Sequence, residues 1–184
     1  MKIAQKIVSL KDGRSAILKS ASPDDADLVL QHLKISHKES YRNLNQSSEY
    51  WNAVSVEEER KFLTDLETGK NKFMIMAWVD EKIVGGLGLF SQTAEFTKHN
   101  ATLGMSIQNA YCNSGLGTHL MNTALENAKQ IGLRRIDLTV RTYNTAGIAL
   151  YEKVGFQRTG LLKEMALIDG QYVDEYSYQI LLKD

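Results

Sequence analysis

A chain of 184 residues is long enough for one globular domain with a substantial core. Apolar residues make up 43% and charged residues 24%, well away from the composition of a disordered chain. Lys plus Arg equals Asp plus Glu at 22 each, so no net field recruits nucleic acid or anionic lipid, and a lone cysteine, Cys112, excludes an intramolecular disulfide.

The N-terminal "MKIAQKIVSLKDGRS" carries no apolar stretch of signal-peptide length, and no segment approaches the roughly 20 apolar residues of a membrane span. The expectation is a soluble, cytoplasmic domain. The Asp12-Gly13 turn signal opens a first strand over 14–21. Ser22, Pro23 and Asp25 form a helix start, with an apolar stripe through Leu28, Val29, Leu33 and Ile35 behind it. Polar residues 43–52 read as a loop. A second capping box, Ser55 with Glu58, opens a helix that ends at Gly69. "KFMIMAWV" and "KIVGGLGLF" flank Asp80-Glu81 as an antiparallel hairpin, and Gly85, Gly86 and Gly88 predict close backbone approach or a bulge. Residues 100–107 form a further strand. Leu120, Met121, Ala124, Leu125, Ala128 and Ile131 then share one helical face. Gly132 closes that helix. "RRIDLTV" is a strand, "NTAGIALYEKVG" a short helix, and two last strands meet across Asp169-Gly170. The order β-α-α-β-β-β-α-β-α-β-β, with no linker or repeat, predicts a single α+β domain over 1–184, a mixed central sheet flanked by about four helices.

Between the strand at 100–107 and the next helix lies "SIQNAYCNSGLGTHL". A helix start leaves its first N–H groups without partners, and its dipole favours negative charge there. Bare backbone at Gly115 and Gly117 lets a bulky anion approach those donors, which favours a phosphate-bearing ligand. Simple structural punctuation is the competing reading. A P-loop needs Gly-x-x-x-x-Gly-Lys and Ser or Thr, and none is present. A dinucleotide fingerprint fails at Leu120, where a third small residue belongs.

Residues 105–140 followed by "RTYNTAGIALYEKVGF" resemble the acetyl-CoA-binding half of the GNAT superfamily of N-acetyltransferases. The glycine signature Gln/Arg-x-x-Gly-x-Gly/Ala falls on Cys112-Asn113-Ser114-Gly115-Leu116-Gly117, with Cys112 replacing the usual Gln or Arg. Asn144, Tyr151, Gly155 and Phe156 fill a second block. The resemblance is strongest over 100–156, and the element order is similar across nearly the whole chain. It implies a GNAT-like fold with acetyl-CoA as cosubstrate. Ser106 and Ile107 would offer a strand edge to the pantetheine arm. Asn113, Ser114, Gly115, Leu116, Gly117 and Thr118 would take the pyrophosphate, with Asn144 near the cofactor. Tyr151 would protonate the leaving thiolate. The plainer readings are that Tyr151 packs beside Leu150 and that Asn144 caps its helix.

No single general base emerges: Glu39, His99 or a water chain could serve, and the strand position where relatives often carry an acid is Thr102. Acceptor recognition is expected from "YRNLNQSSEYWNAVS" and "LLKEMALIDGQYVDEY", where Glu49, Glu164, Asp169, Asp174 and Glu175 could attract an amine. Tyr50, Trp51, Tyr172 and Tyr176 could wall it. The four histidines have no metal-ligand spacing, so no metal is expected. The expected activity is direct acetyl transfer from acetyl-CoA to a primary amine of a small molecule or peptide. A catalytically silent acyl-CoA sensor is the alternative, and oligomeric state stays open, a homodimer included. No nucleic acid or membrane partner is expected.

Overall fold

The structure, a computed structural model, describes residues 1–69 and 71–182. In chain order it runs β1 (Lys6–Ser9), β2 (Ser15–Lys19), α1 (Ala26–Glu39), α2 (Ser48–Ala53), α3 (Val56–Thr68), β3 (Lys72–Val79), β4 (Lys82–Ser91), β5 (Asn100–Ile107), α4 (Leu116–Gln130), β6 (Arg135–Arg141), α5 (Thr145–Lys153), β7 (Gln157–Ile168) and β8 (Gln171–Leu181). The strands form one sheet in the order β1-β2-β3-β4-β5-β6-β8-β7. Every neighbouring pair is antiparallel except β5 with β6. The mixed α+β architecture is as expected from the element order.

The sheet is covered on both faces, and β3 shows why. Its Phe73, Ile75, Ala77 and Val79 join a core with Leu116, Leu120, Met121, Ala124 and Ala128 of α4. The alternate residues Met76 and Trp78 join a second core with Ala26 and Val29 of α1 and Leu63 and Leu66 of α3. Strict alternation sends successive side chains to opposite faces, so the seven-residue apolar run Phe73–Val79 serves both layers. Two capping boxes set the helix starts. Ser22 N–H donates to Asp25 Oδ2 (2.7 Å), and Ser55 N–H donates to Glu58 Oε2 (2.8 Å) while its Oγ accepts from Glu58 N–H (3.2 Å).

Two elements depart from the sequence expectation. β1 pairs with β2 from Lys6↔Leu18 to Ser9↔Ser15 but buries only Val8, so its four residues carry almost no pattern. Within the expected loop 43–52, Ser47 Oγ accepts from Tyr50 N–H (3.2 Å) and caps the six-residue α2. Five α-helices and eight strands are therefore present among the described residues, against the four and seven expected. The β4 glycines do accompany a bulge: pairing steps from Ala77↔Gly85 to Trp78↔Ile83, leaving Val84 extra.

Candidate active site

β5 and β6 run side by side only at Asn100↔Arg135, Ala101↔Ile136 and Thr102↔Asp137. Beyond Thr102, β5 stays paired with β4 as far as Gly85↔Ile107, while β6 turns to β8, with which it pairs along its whole length. A notch opens between the two parallel strands, and the edge of β5 from Leu103 to Ile107 that faced β6 has no strand partner. An unpaired edge offers its N–H and C=O groups to any extended ligand.

That edge leads into the start of α4. Gly115 caps the helix with φ of 90°, the left-handed region that a glycine adopts freely, and Asn113 precedes it at φ of 60°. The turn is pinned from behind. Ser114 is buried, its Oγ donates to Tyr111 O (2.7 Å), and its carbonyl accepts from Lys11 N–H (2.8 Å). Ser114 Oγ also accepts a long bond from Leu116 N–H (3.4 Å). His119 N–H makes the first bond along the helix, to Gly115 O (3.2 Å), and among the described residues no protein acceptor takes the N–H groups of Gly117 or Thr118. Gly117 is bare for a reason of packing: a Cβ there would lie 2.9 Å from Leu150 Cδ2. The glycine thus lets α5 close onto α4, while the free donors are those that any helix start leaves unpaired.

On α5, Asn144 is the N-cap, its Oδ1 accepting from Gly147 N–H (3.0 Å). Tyr151 packs its ring against Phe156 (centroids 6.1 Å apart) and Tyr178 (6.4 Å). Tyr151 lines the cavity described next, and its hydroxyl has no hydrogen-bond partner among the described residues. Burial pushes that phenol up to about 12, so it carries its proton throughout the neutral range.

A cavity of about 580 Å³ lies on the α1–α2–α3 face of the sheet and reaches from Met74 on β3 across to Thr139 and Arg141 on β6. His32 on α1 faces it, 3.0 Å from Ser106 Oγ. Gln108 fixes the protonation of that ring. Its amide nitrogen donates to Ile83 O (3.1 Å), in the β4 bulge, and its other N–H faces His32 Nδ1 (3.4 Å). Nδ1 therefore accepts, the ring proton sits on Nε2, and Nε2–H donates to Ser106 Oγ. Desolvation holds the imidazole down at about 4, so His32 is a neutral donor and not a base. The Ser106 hydroxyl, already accepting, is left to donate its own proton into the cavity.

Two charged residues lining the cavity, Glu59 and Arg141, were not singled out in the sequence. Glu59, in the first turns of α3, is 4% exposed, and its Oε1 is buried without a partner. Desolvation raises its carboxyl to about 7. Arg141, at the end of β6, forms a buried ion pair with Glu175 on β8, and its Nη2 donates to Asn45 Oδ1 (3.1 Å). Glu59 belongs to a helix that was legible in the sequence, but nothing in "VEEER" distinguishes the inward glutamate from its exposed neighbours before the helix is docked.

Of the other residues expected at the site, Tyr50, Trp51 and Glu175 line the cavity. Trp51 stands edge-on to both His37 (5.3 Å) and Tyr50 (5.0 Å). Glu39 lies outside it, accepting from Asn109 N–H (2.7 Å), and His99 sits at the opposite end of β5, its carbonyl accepting from Arg134 N–H (2.8 Å). Asp169 is bonded to Arg42 (2.6 Å) and Tyr41, Asp174 to the Glu164 N–H (2.8 Å). Tyr172 is exposed, and Tyr176 lies under Arg158 (4.4 Å). Cys112 is exposed, and burial of its sulfur with Glu39 nearby raises its thiol above the ordinary range, the reverse of an activated nucleophile.

The splayed parallel pair, the free donors at the start of α4 and the unpartnered phenol on α5 all lie within residues 35–156, which match the model of the acetyltransferase (GNAT) family, to which this chain belongs. It is an acetyl-CoA-dependent acetyltransferase. Among relatives, an L-amino acid N-acetyltransferase, AaaT, of Escherichia coli K12 is 28% identical over 155 residues, 82% of this chain and 96% of the relative. A GNAT-family acetyltransferase of Streptococcus pneumoniae superposes with a TM-score of 0.86 at 27% identity, covering 91% of this chain and 99% of that one. The fold is also that of yncA, a putative acetyltransferase of Salmonella typhimurium solved with acetyl-CoA (TM-score 0.76, 13% identity, 92% and 95% covered).

Proposed function

We propose that this protein moves the acetyl group of acetyl-CoA directly to a primary amine of a small molecule or peptide held in the 580 Å³ cavity. The observation that carries the proposal is the continuity of the unpaired β5 edge, from Leu103 to Ile107, with the free N–H groups at the start of α4. Pantetheine runs along Ser106 and Ile107, and the diphosphate rests on the turn Asn113, Ser114, Gly115, Leu116, Gly117 and Thr118. With Cys112 in place of Gln or Arg, backbone donors and the helix dipole carry the anion. Asn144 holds the start of α5 beside the cofactor and so aims Tyr151.

The amine nitrogen attacks the thioester carbonyl carbon and the C–S bond breaks. The departing thiolate takes the Tyr151 proton, while the nitrogen sheds one proton to water in the cavity. A phenol held near 12 is always charged with that proton and recovers it readily. The Ser106 hydroxyl, oriented by His32, donates toward the oxygen that gains charge in the tetrahedral intermediate. That the Escherichia coli relative is named for acetylating L-amino acids supports an amine acceptor of small size.

The test is an amine panel with acetyl-CoA, following free thiol. Tyr151→Phe should lower kcat by about 10²- to 10⁴-fold, the range of a lost general acid, with coenzyme A affinity within a few-fold of wild type. Thiol release that no amine accelerates, or full turnover by the Phe variant, contradicts the proposal. The first of these outcomes would instead favour an acyl-CoA sensor.

A further inference from the structure

The cavity presents several ionisable groups, and most of them are already engaged. Glu58 is tied to Ser55 in the capping box, and Glu175 is paired with Arg141. His32 is bonded to Ser106 and Gln108, and His37 donates from Nδ1 to Leu33 O (2.8 Å) against the edge of Trp51. Tyr50 lies edge-on to Trp51, and the phenol of Tyr151 is assigned to the thiolate. The Glu59 carboxyl is the remaining acid, and among the described residues it has neither a hydrogen bond nor an ion pair. A carboxyl removed from water without a partner is costly, and an evolved cavity that tolerates one leaves it for something that enters.

Position says what enters. α3 packs on the β3 side of the sheet, where Leu63 and Leu66 meet Met76 and Trp78 and where Phe62 lies 6.3 Å from the Phe90 ring. The reacting end of the cavity is at the β5–β6 notch. β4 and β5 lie between β3 and that notch, so more than two strand spacings of about 4.8 Å, at least about 10 Å, lie between Glu59 and a nitrogen poised for acetylation. At the α3 end the lining residues Met74 and Met76 of β3 and Phe90 of β4 are apolar. We infer that Glu59 is a specificity-determining residue that receives a second cationic group of the acceptor, at least about 10 Å from the nitrogen acetylated, so that diammonium or otherwise dibasic amines are preferred over monoamines.

This inference rests on the acetyl-transfer reading of the same cavity. Entry of an ammonium next to Glu59 favours the carboxylate, so binding near neutral pH expels the proton that the empty site retains. His32 stays neutral over that range and takes no part.

The probes are a straight α,ω-diamine of about eight methylenes, long enough to span the gap when extended, and the ω-amino alcohol of the same length. In wild type the diamine should have the higher kcat/KM by about 10- to 100-fold, the worth of a charge-assisted hydrogen bond, and the gain should lie in KM. Glu59→Gln should erase the preference while leaving kcat/KM for the amino alcohol within about twofold, and Glu59→Asp should retain part of it. In wild type the diamine's KM should fall as pH rises through the Glu59 transition, a dependence the Gln variant lacks. Equal kinetics for the two probes in wild type, or a preference that survives Glu59→Gln, overturns the inference while leaving acetyl transfer intact. If neither probe is acetylated, the transfer reading is decided by the amine panel. The Glu59 site is then judged by calorimetric titration with the diamine: heat and proton release that vanish in Glu59→Gln support it, and no binding refutes it.

Discussion

His32 and Glu59 face one cavity from neighbouring helices, and burial moves their proton affinities in opposite directions. The His32 ring sits at about 4 against an ordinary 6.5, and the Glu59 carboxyl at about 7 against 4.5. As pH falls from 6.5 toward 4, the unfolded chain takes up a proton that folded His32 refuses, so stability drops on acidification. As pH rises from 4.5 toward 7, the unfolded chain releases a proton that folded Glu59 keeps, so stability drops on alkalinisation. The two slopes oppose each other over the shared range, and above 6.5 only Glu59 still acts. Glu59→Gln should therefore be more stable than wild type at pH 8 by about 1–3 kcal/mol, with the gap closing below pH 5. Denaturant unfolding at the two pH values measures it. A variant destabilised equally at both would mean that the carboxyl has a bonded role the structure does not contain.

Among the elements, those whose pattern is local were legible in the sequence. The two capping boxes, the alternation of β3, and the face of α4 bearing Leu120, Met121, Ala124 and Ala128 all stand where the residues place them. β1 was hidden because four residues with one inward side chain carry too little pattern, and α2 because six residues supply no stripe beyond the Ser47 cap. The β3–β4 hairpin was legible, but its strain was not. Asp80 and Glu81 both take positive φ, at 47° and 63°, in a two-residue turn that favours Asn-Gly or Asp-Gly. Glu81→Gly should remove the left-handed penalty at that position and raise stability by about 1 kcal/mol, seen as a higher Tm with activity unchanged. A lower Tm would show that the Glu81 side chain contributes more than its backbone costs.

At the scale of the whole molecule, the site is a product of topology. Strands β5 and β6 are the one parallel pair, and their separation after Thr102 opens the sheet where α4 begins and where α5 brings Tyr151. The glycine turn and the Asn144–Tyr151 block mark that half of the site in the sequence because each motif is contiguous. The acceptor half was legible only as a region. Its walls come from α1, α2, α3, β4, β6 and β8, and which glutamate of α3 turns inward, or that Arg141 meets Glu175, depends on how those elements dock. The glycines themselves were half read. Gly117 serves the approach of Leu150 and Gly115 a left-handed cap, while the donors there are those that any helix start leaves unpaired.

Those donors are where the account stands most open to test. A titration with coenzyme A, followed by backbone amide resonances, should shift Gly115, Leu116, Gly117 and Thr118 most strongly, together with Leu103 to Ile107 along the free edge of β5. If the ligand saturates the protein while these amides stay in place and others move, the diphosphate does not sit at the start of α4 and the proposed geometry of transfer is wrong.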